Sequence, residues 1–222
     1  MRTGPKTAVS SLAGMVCLGL LLFVPAGTFD YWQAWVFIGT VTVVTAGPSV
    51  YLVVRDPAAI ERRMKVGQET RPVQRVLVFA FLVLMPALLV FCALDHRFGW
   101  SSVPTVLVLI ADAVVAAGLV ITMVVVLQNR FAAANIAVYA GQKLVSTGLY
   151  GIIRHPMYAG ALIMTIGIPV ALDSWWGLVA VVPATVILVL RILDEEKALG
   201  QDLDGYREYV RETRFRLVPY VW

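Results

Sequence analysis

The sequence predicts an all-α, polytopic membrane bundle of about five to six membrane segments, finished by a C-terminal cytoplasmic helix. Three observations carry that expectation. Hydrophobic residues fill 59% of the 222 positions and charged residues only 14%, with a mean hydropathy of +0.81. A soluble domain of this size has too little interior to hide so much apolar surface. The apolar residues also fall in runs near the roughly 20 residues that cross a hydrocarbon core. Finally, the basic residues gather at alternate ends of those runs, as the positive-inside rule requires.

The runs cover 9–26, 33–54, 76–94 and 104–127, followed by two closing runs, 157–172 and 175–193, parted only by Asp173-Ser174. The first closing run is short for a span, so this hairpin is expected to sit partly within protein or to cross incompletely. With the N-terminus in the cytoplasm, that side receives Arg2, Lys6, Arg55, Arg62, Arg63, Lys65, Arg71, Arg75, Arg130, Lys143, Arg154 and the basic residues from Arg191 onward. Arg97 alone falls opposite. Both termini are therefore expected to be cytoplasmic, at the inner membrane if the cell is bacterial. The formal charge of +4 is a topology signal rather than a nucleic-acid signal, and the basic face would lie beside anionic lipid headgroups. Tyr31, Trp32, Trp35, Trp100, Trp175 and Trp176 stand near the outer ends, where an aromatic belt belongs.

Residues 1–26 have the superficial layout of a secretory signal, ending in Val24-Pro25-Ala26. Retaining them as a span preserves the hairpin topology. Pro48 and Pro86 fall inside spans, where each removes a backbone donor. Residues 55–75 form the first polar loop, with a short interfacial helix expected over 58–66. Asp95–Ser102 reads as an outer loop; its His96 lacks a second ligand for a metal. Asp112 is the one ionisable residue well inside a run, a costly placement that calls for a partner or a cavity. Cys17 and Cys92 lie within spans without metal spacing.

Residues 128–149 break the pattern, being too polar to span and too apolar for an idle linker. They read as a re-entrant or surface-lying segment with turns at Ala140-Gly141 and Thr147-Gly148. The segment leads into Gly148-Leu-Tyr-Gly-Ile-Ile-Arg-His-Pro-Met-Tyr-Ala-Gly160. A residue before proline favours extended backbone and proline suits the first helical turn, so a helix is expected to begin at Pro156. Its free N–H groups and positive dipole end favour an anion. The plain alternative is a basic membrane flank and nothing more. Arg191-Ile-Leu-Asp-Glu-Glu-Lys-Ala-Leu199 carries the last span out of the membrane, with Arg191 and Glu195 spaced for a helical ion pair. An amphipathic helix over Gly205-Tyr-Arg-Glu-Tyr209 follows, then a tail, Arg214-Phe-Arg-Leu-Val-Pro-Tyr-Val-Trp222, able to cover a ligand or lie on the membrane. No repeat, glycine-rich phosphate loop or Ser/His/Asp arrangement appears.

Several of these stretches together resemble the isoprenylcysteine carboxyl methyltransferases and their prokaryotic relatives, within the broader group that includes phospholipid methyltransferases. They are Asn129-Arg-Phe, Gly141-Gln, Thr147-Gly-Leu-Tyr150, Arg154-His-Pro-Met-Tyr-Ala-Gly160, Asp194-Glu-Glu196, Tyr206-Arg-Glu-Tyr209 and the closing Leu-Val-Pro. The likeness divides the chain into N-terminal spans, 1–127, and a methyltransferase-like region, 128–222. Leu149-Tyr150-Gly151 departs from the family's frequent Pro-Tyr-Arg. What the resemblance implies is S-adenosylmethionine at the cytoplasmic face and a lipophilic or lipidated acceptor drawn from the membrane, with no nucleic acid, metal or obligate protein partner. It assigns Arg154 and Arg191 as catalytic holders of a substrate carboxylate, since planar guanidinium groups suit that anion. His155, Tyr158, Gly160, Glu195, Glu196 and Tyr206 become the cofactor contacts. Carboxyl O-methylation is the first expectation and phospholipid N-methylation its alternative. An NADPH-dependent sterol or enone reductase and a non-catalytic or transport protein stand behind them.

Overall fold

The apolar runs become helices whose ends are set by proline, glycine and the first polar residues. The computed structural model describes residues 3–55, 71–129 and 144–222. Among them lie α1 (Thr3–Ala26), α2 (Trp32–Arg55), α3 (Pro72–Phe98), α4 (Thr105–Gln128), α5 (Pro156–Ala171), α6 (Val181–Asp202) and α7 (Tyr206–Glu212), and every regular element is helical. Five stretches of the described residues are long and apolar enough to cross a membrane: Val9–Ala26, Trp32–Arg55, Pro72–Phe98, Thr105–Gln128 and Trp176–Asp202. This is the build of a multi-pass integral membrane protein. The sixth candidate, α5, has 16 residues, or about 24 Å at 1.5 Å per residue. That falls short of a hydrocarbon core of about 30 Å. The interfacial helix expected over 58–66, and the part of the surface-lying segment over 130–143, lie outside the described residues.

Two boundaries differ from the sequence reading. Arg71 is extended (φ −87°, ψ 125°) with Pro72 in the first turn of α3, so the helix starts before the apolar run does. At its other end α3 continues through Asp95, His96 and Arg97 and stops only at left-handed Gly99 (φ 61°), whose N–H bonds back to Asp95. The expected loop at 95–102 is thus half helix. Polar side chains extend the helix here because they bond to the neighbouring turns.

α4 and α5 pack along their lengths as the most extensive pair, while α3 lies against α1 and α6, and α2 against α4. Small residues allow the α4–α5 approach. A Cβ placed on Gly118 would stand 2.7 Å from the Gly160 carbonyl oxygen, and one on Gly160 would stand 2.6 Å from Thr122 Oγ1. The buried cluster of Leu22, Phe23, Tyr31, Phe37, Leu88, Cys92, Val115, Leu119 and Leu172 sits near the end where α1–α2, α3–α4 and α5–α6 are joined.

Polar groups stitch those three turns together. Asp95 is fully buried and accepts hydrogen bonds from Ser101 N and Oγ, both at 2.7 Å, and from Ser174 Oγ. Asp173, in the left-handed region at φ 64°, accepts from Val103 N and Gln33 Nε2. The Tyr31 hydroxyl donates to the Leu172 carbonyl at 2.7 Å, and its ring stacks on His96 with centroids 3.9 Å apart. His96 is therefore a piece of this polar knot. The opposite end of the bundle is left to gather α2's last turn, α3's first turn, the 144–156 segment and everything after Arg191.

Candidate functional site

At that opposite end, three separated segments meet: the start of α5, the polar end of α6, and α7 with the tail. α5 begins at Pro156, as the proline predicts, with His155 as its N-cap residue in a non-helical conformation (φ −125°, ψ 61°). The backbone N–H groups before the proline do not wait for a ligand. Arg154 N donates to the Phe215 carbonyl at 2.9 Å and His155 N to the Arg216 carbonyl at 3.0 Å. The tail therefore lies alongside the Arg-His pair and fixes its backbone.

The side chains converge on Glu196. Its Oε1 lies 3.2 Å from Arg154 Nη1 and 3.2 Å from His155 Nε2, and its Oε2 accepts from Arg216 Nε at 2.9 Å. A carboxylate facing Nε2 requires that nitrogen to donate, so Nδ1 is the bare nitrogen whenever the ring is neutral. His155 Nδ1 stands 4.0 Å from Glu195 Oε2. On the next turn back along α6, Arg191 Nε donates to the Tyr158 hydroxyl at 3.3 Å, and its guanidinium lies over the Tyr158 ring, 5.9 Å from the centroid. Arg154, His155 and Arg191 are 5–7% exposed. Burying the two arginine cations this far is tolerable only with such hydrogen-bonding partners.

Aromatic groups close the far side. Tyr206 and Tyr209 are both 4% exposed, one helical turn apart on α7. The Tyr209 hydroxyl donates to the Tyr150 carbonyl at 2.7 Å, which fixes the 3₁₀ turn Gly148–Gly151 beside α7. Burial pushes the Tyr209 hydroxyl up to about 12. Burial also raises Tyr206, and the nearby negative charges of Glu196 and Glu195 raise it further. Both tyrosines are therefore neutral donors at physiological pH. Asn129 Nδ2 donates to the Tyr150 hydroxyl at 3.2 Å, which ties the end of α4 to the same turn.

Of the residues singled out from sequence, Arg154, His155, Tyr158, Arg191, Glu195, Glu196 and Tyr206 come together here. Gly160 faces the other way, one turn into α5, where its missing side chain makes room for Thr122 and Gly118. Both oxygens of Glu196 are already occupied by the protein, while Glu195 Oε2 has no hydrogen-bond partner among the described residues. Three residues with structural work at this end escaped the sequence reading. Arg216 was seen only as part of a covering tail; a cation amid Phe215, Leu217 and Val218 was its signal. Fully buried Gln74 donates to Asp194 Oδ2 at 2.7 Å, and Arg71 Nη2 pairs with Asp194 Oδ1 at 2.9 Å. They moor α3 to α6 just beneath the site, and a glutamine between Val73 and Arg75, just ahead of the apolar run, was the hint.

One comparison with known proteins falls in this half of the chain. Residues 106–202 match the family described as phospholipid methyltransferase (PEMT), a stretch that contains α5, the Arg-His-Pro element and Asp194-Glu195-Glu196. A mouse (Mus musculus) protein described as Delta(14)-sterol reductase TM7SF2 is 33% identical over 85 residues, which is 37% of this chain. The match spans only 20% of that relative's length.

Proposed function

We propose that this chain is an integral membrane methyltransferase that takes its methyl group from S-adenosylmethionine and delivers it to a lipid acceptor at the Glu196 end of the bundle. The observation that carries the reading is a set of buried polar atoms without hydrogen-bond partners among the described residues, gathered around one carboxylate: Arg154 Nε, Glu195 Oε2 and the Tyr206 hydroxyl. Buried polar atoms are ordinarily bonded, and leaving them bare is costly. Together they offer a donor, an acceptor and a group that is either. An amino-acid zwitterion bearing ribose hydroxyls asks for that mixture, so the residues present fit this cofactor.

When bound, S-adenosylmethionine supplies an electrophilic methyl on a sulfonium. The protein's own work is then to orient and to exclude water. Glu195 accepts from an ammonium or hydroxyl group, Arg154 Nε donates to a carboxylate, and Tyr206 with the tail covers the ligand. Tyr158, pinned by Arg191, forms the floor on the membrane side.

For the acceptor, the motif resemblance points to the carboxylate of a lipidated, isoprenylcysteine-like substrate, which needs cations and no base. The matched family and the pairing of Arg154 Nη1 with Glu196 favour the amine of a phospholipid instead. An amine must lose a proton, and His155 Nδ1, bare because Nε2 faces Glu196, is positioned to take it. Incubation of purified protein with methyl-labelled donor and a membrane lipid extract separates the two. A methyl ester releases labelled methanol in mild alkali, whereas a methylamine keeps its label in the lipid. The partial likeness to the sterol reductase supports a second reading, reduction with NADPH. Binding of labelled S-adenosylmethionine against labelled NADPH to the detergent-purified protein decides between them, and binding of neither supports a non-catalytic scaffold.

A further inference from the structure

We infer that Arg216 is a positioning residue which, acting through Glu196, sets the hydrogen-bonding pattern that the site shows its ligand. Glu196 Oε1 is shared between Arg154 Nη1 and His155 Nε2, both at 3.2 Å. A carboxylate oxygen has lone pairs for two donors, and holding the group against rotation keeps both bonds in place. The 2.9 Å bond from Arg216 Nε to Oε2 supplies that restraint. Arg216 is itself held: its guanidinium lies 5.1 Å from the centroid of the Trp222 ring, its N–H bonds to the Trp222 oxygen at 2.8 Å, and its carbonyl accepts from His155 N.

The consequence is chemical. With Glu196 fixed, His155 donates through Nε2 and keeps Nδ1 bare toward Glu195, and Arg154 spends Nη1 on Glu196 and Nη2 on the Arg214 carbonyl. That leaves Arg154 Nε without a hydrogen-bond partner among the described residues. The tail thereby does more than cover the site; it decides which nitrogen atoms remain for a ligand.

The test has two readouts, only one of which rests on the methyltransferase reading for its ligand. Protein labelled with 15N at histidine carries two imidazoles, and His96→Gln assigns the other. Recorded at a pH where both rings are neutral, the parent is expected to show His155 with Nε2 protonated and Nδ1 bare, and Arg216→Ala a mixture of tautomers. In lipid nanodiscs, S-adenosylhomocysteine is expected to bind Arg216→Ala about 10- to 100-fold more weakly, the range for a lost charge-assisted bond. Arg216→Lys should recover part of that loss. The Arg216→Ala, Glu196→Gln double variant should bind no more weakly than Glu196→Gln alone.

An unchanged His155 spectrum in Arg216→Ala overturns the inference, as does a double variant whose loss equals the sum of the singles. If Arg216→Ala does not fold, Arg216→Lys carries the same cycle against Glu196→Gln. If the parent binds no S-adenosylhomocysteine, the methyltransferase reading fails, while the imidazole spectra still judge Arg216.

Discussion

Gly160→Ala separates packing from cofactor contact at a position where sequence and structure point different ways. The added Cβ would lie 2.6 Å from Thr122 Oγ1, 2.7 Å from the Gly118 carbonyl oxygen and 3.3 Å from Ile121 Cγ2. Comfortable non-bonded contacts begin near about 3.5 Å, so α4 and α5 must part by a good fraction of an ångström. Thr122 gives little, because its hydroxyl already donates to Gly118 O at 3.0 Å. The Gly118 carbonyl, as backbone, gives none. Overpacking of this kind costs about 1–3 kcal/mol, and an immovable backbone atom puts this site toward about 2–3 kcal/mol. Gly118→Ala would meet Gly160 O at 2.7 Å and Met164 Cγ at 2.7 Å. One separation of the helices relieves both variants, so the double variant should cost less than the sum. Reversible unfolding in mixed micelles, titrated with denaturing detergent, measures these differences. If Gly160→Ala unfolds like the parent yet fails to bind cofactor, Gly160 contacts the ligand and the packing argument is refuted.

Three further outcomes follow from the hydrogen-bond pattern. Burial raises the Asp173 carboxyl above the usual range against the opposing bond from Val103 N, so the folded state holds its proton more tightly than the unfolded state. Stability should therefore fall as pH rises through that raised value, and Asp173→Asn should flatten the slope in pH-dependent unfolding. The same variant should cost less than about 1 kcal/mol at neutral pH, because asparagine tolerates positive φ and the unpartnered Gln33 Oε1 can turn to accept from it. Asp194→Ala strips Gln74 and Arg71 of their carboxylate and leaves a fully buried amide underbonded, for a loss of about 2 kcal/mol in the same titration. Tyr209→Phe removes the bond to the Tyr150 carbonyl and should cost about 1–2 kcal/mol, with earlier proteolysis near Gly148–Gly151 as a local readout.

The spans were legible because bilayer length and charge asymmetry act on whole segments, and single residues rarely override them. The start of α5 was legible for a local reason, since Arg-His-Pro constrains three successive residues. What could not be read were bonds between segments far apart in the chain. Nothing near Gln74 indicates Asp194, 120 positions away, and nothing near Glu196 indicates that Arg216 takes one of its oxygens. The resemblance gives Glu196 to the cofactor, and the donors that the protein itself brings to it, Arg154, His155 and Arg216, come from segments that only folding sets beside α6. At Gly160 the motif drew attention to the ligand, and the demand that helix packing also makes for glycine there is visible only once α4 is alongside.

Asp194, Glu195 and Glu196 show how one short stretch serves both demands. Consecutive residues on a helix point about 100° apart, so three adjacent acids cannot share a task. Asp194 turns to α3, where Arg71 and Gln74 occupy both its oxygens. Glu196 turns to the Arg-His pair and the tail, and its oxygens are occupied too. Glu195 lies between them with a buried oxygen unclaimed, flanked by two anchors that stop α6 from rotating it away. A residue so placed is preorganised at no further cost when a ligand arrives. Neutralising Glu195 should therefore weaken ligand binding with little change in stability, whereas Asp194→Ala should do the reverse. Glu195→Gln and Asp194→Ala, compared by S-adenosylhomocysteine titration and detergent unfolding, put that division to the test. A Glu195→Gln protein that binds like the parent would mean that the open oxygen is not the ligand's.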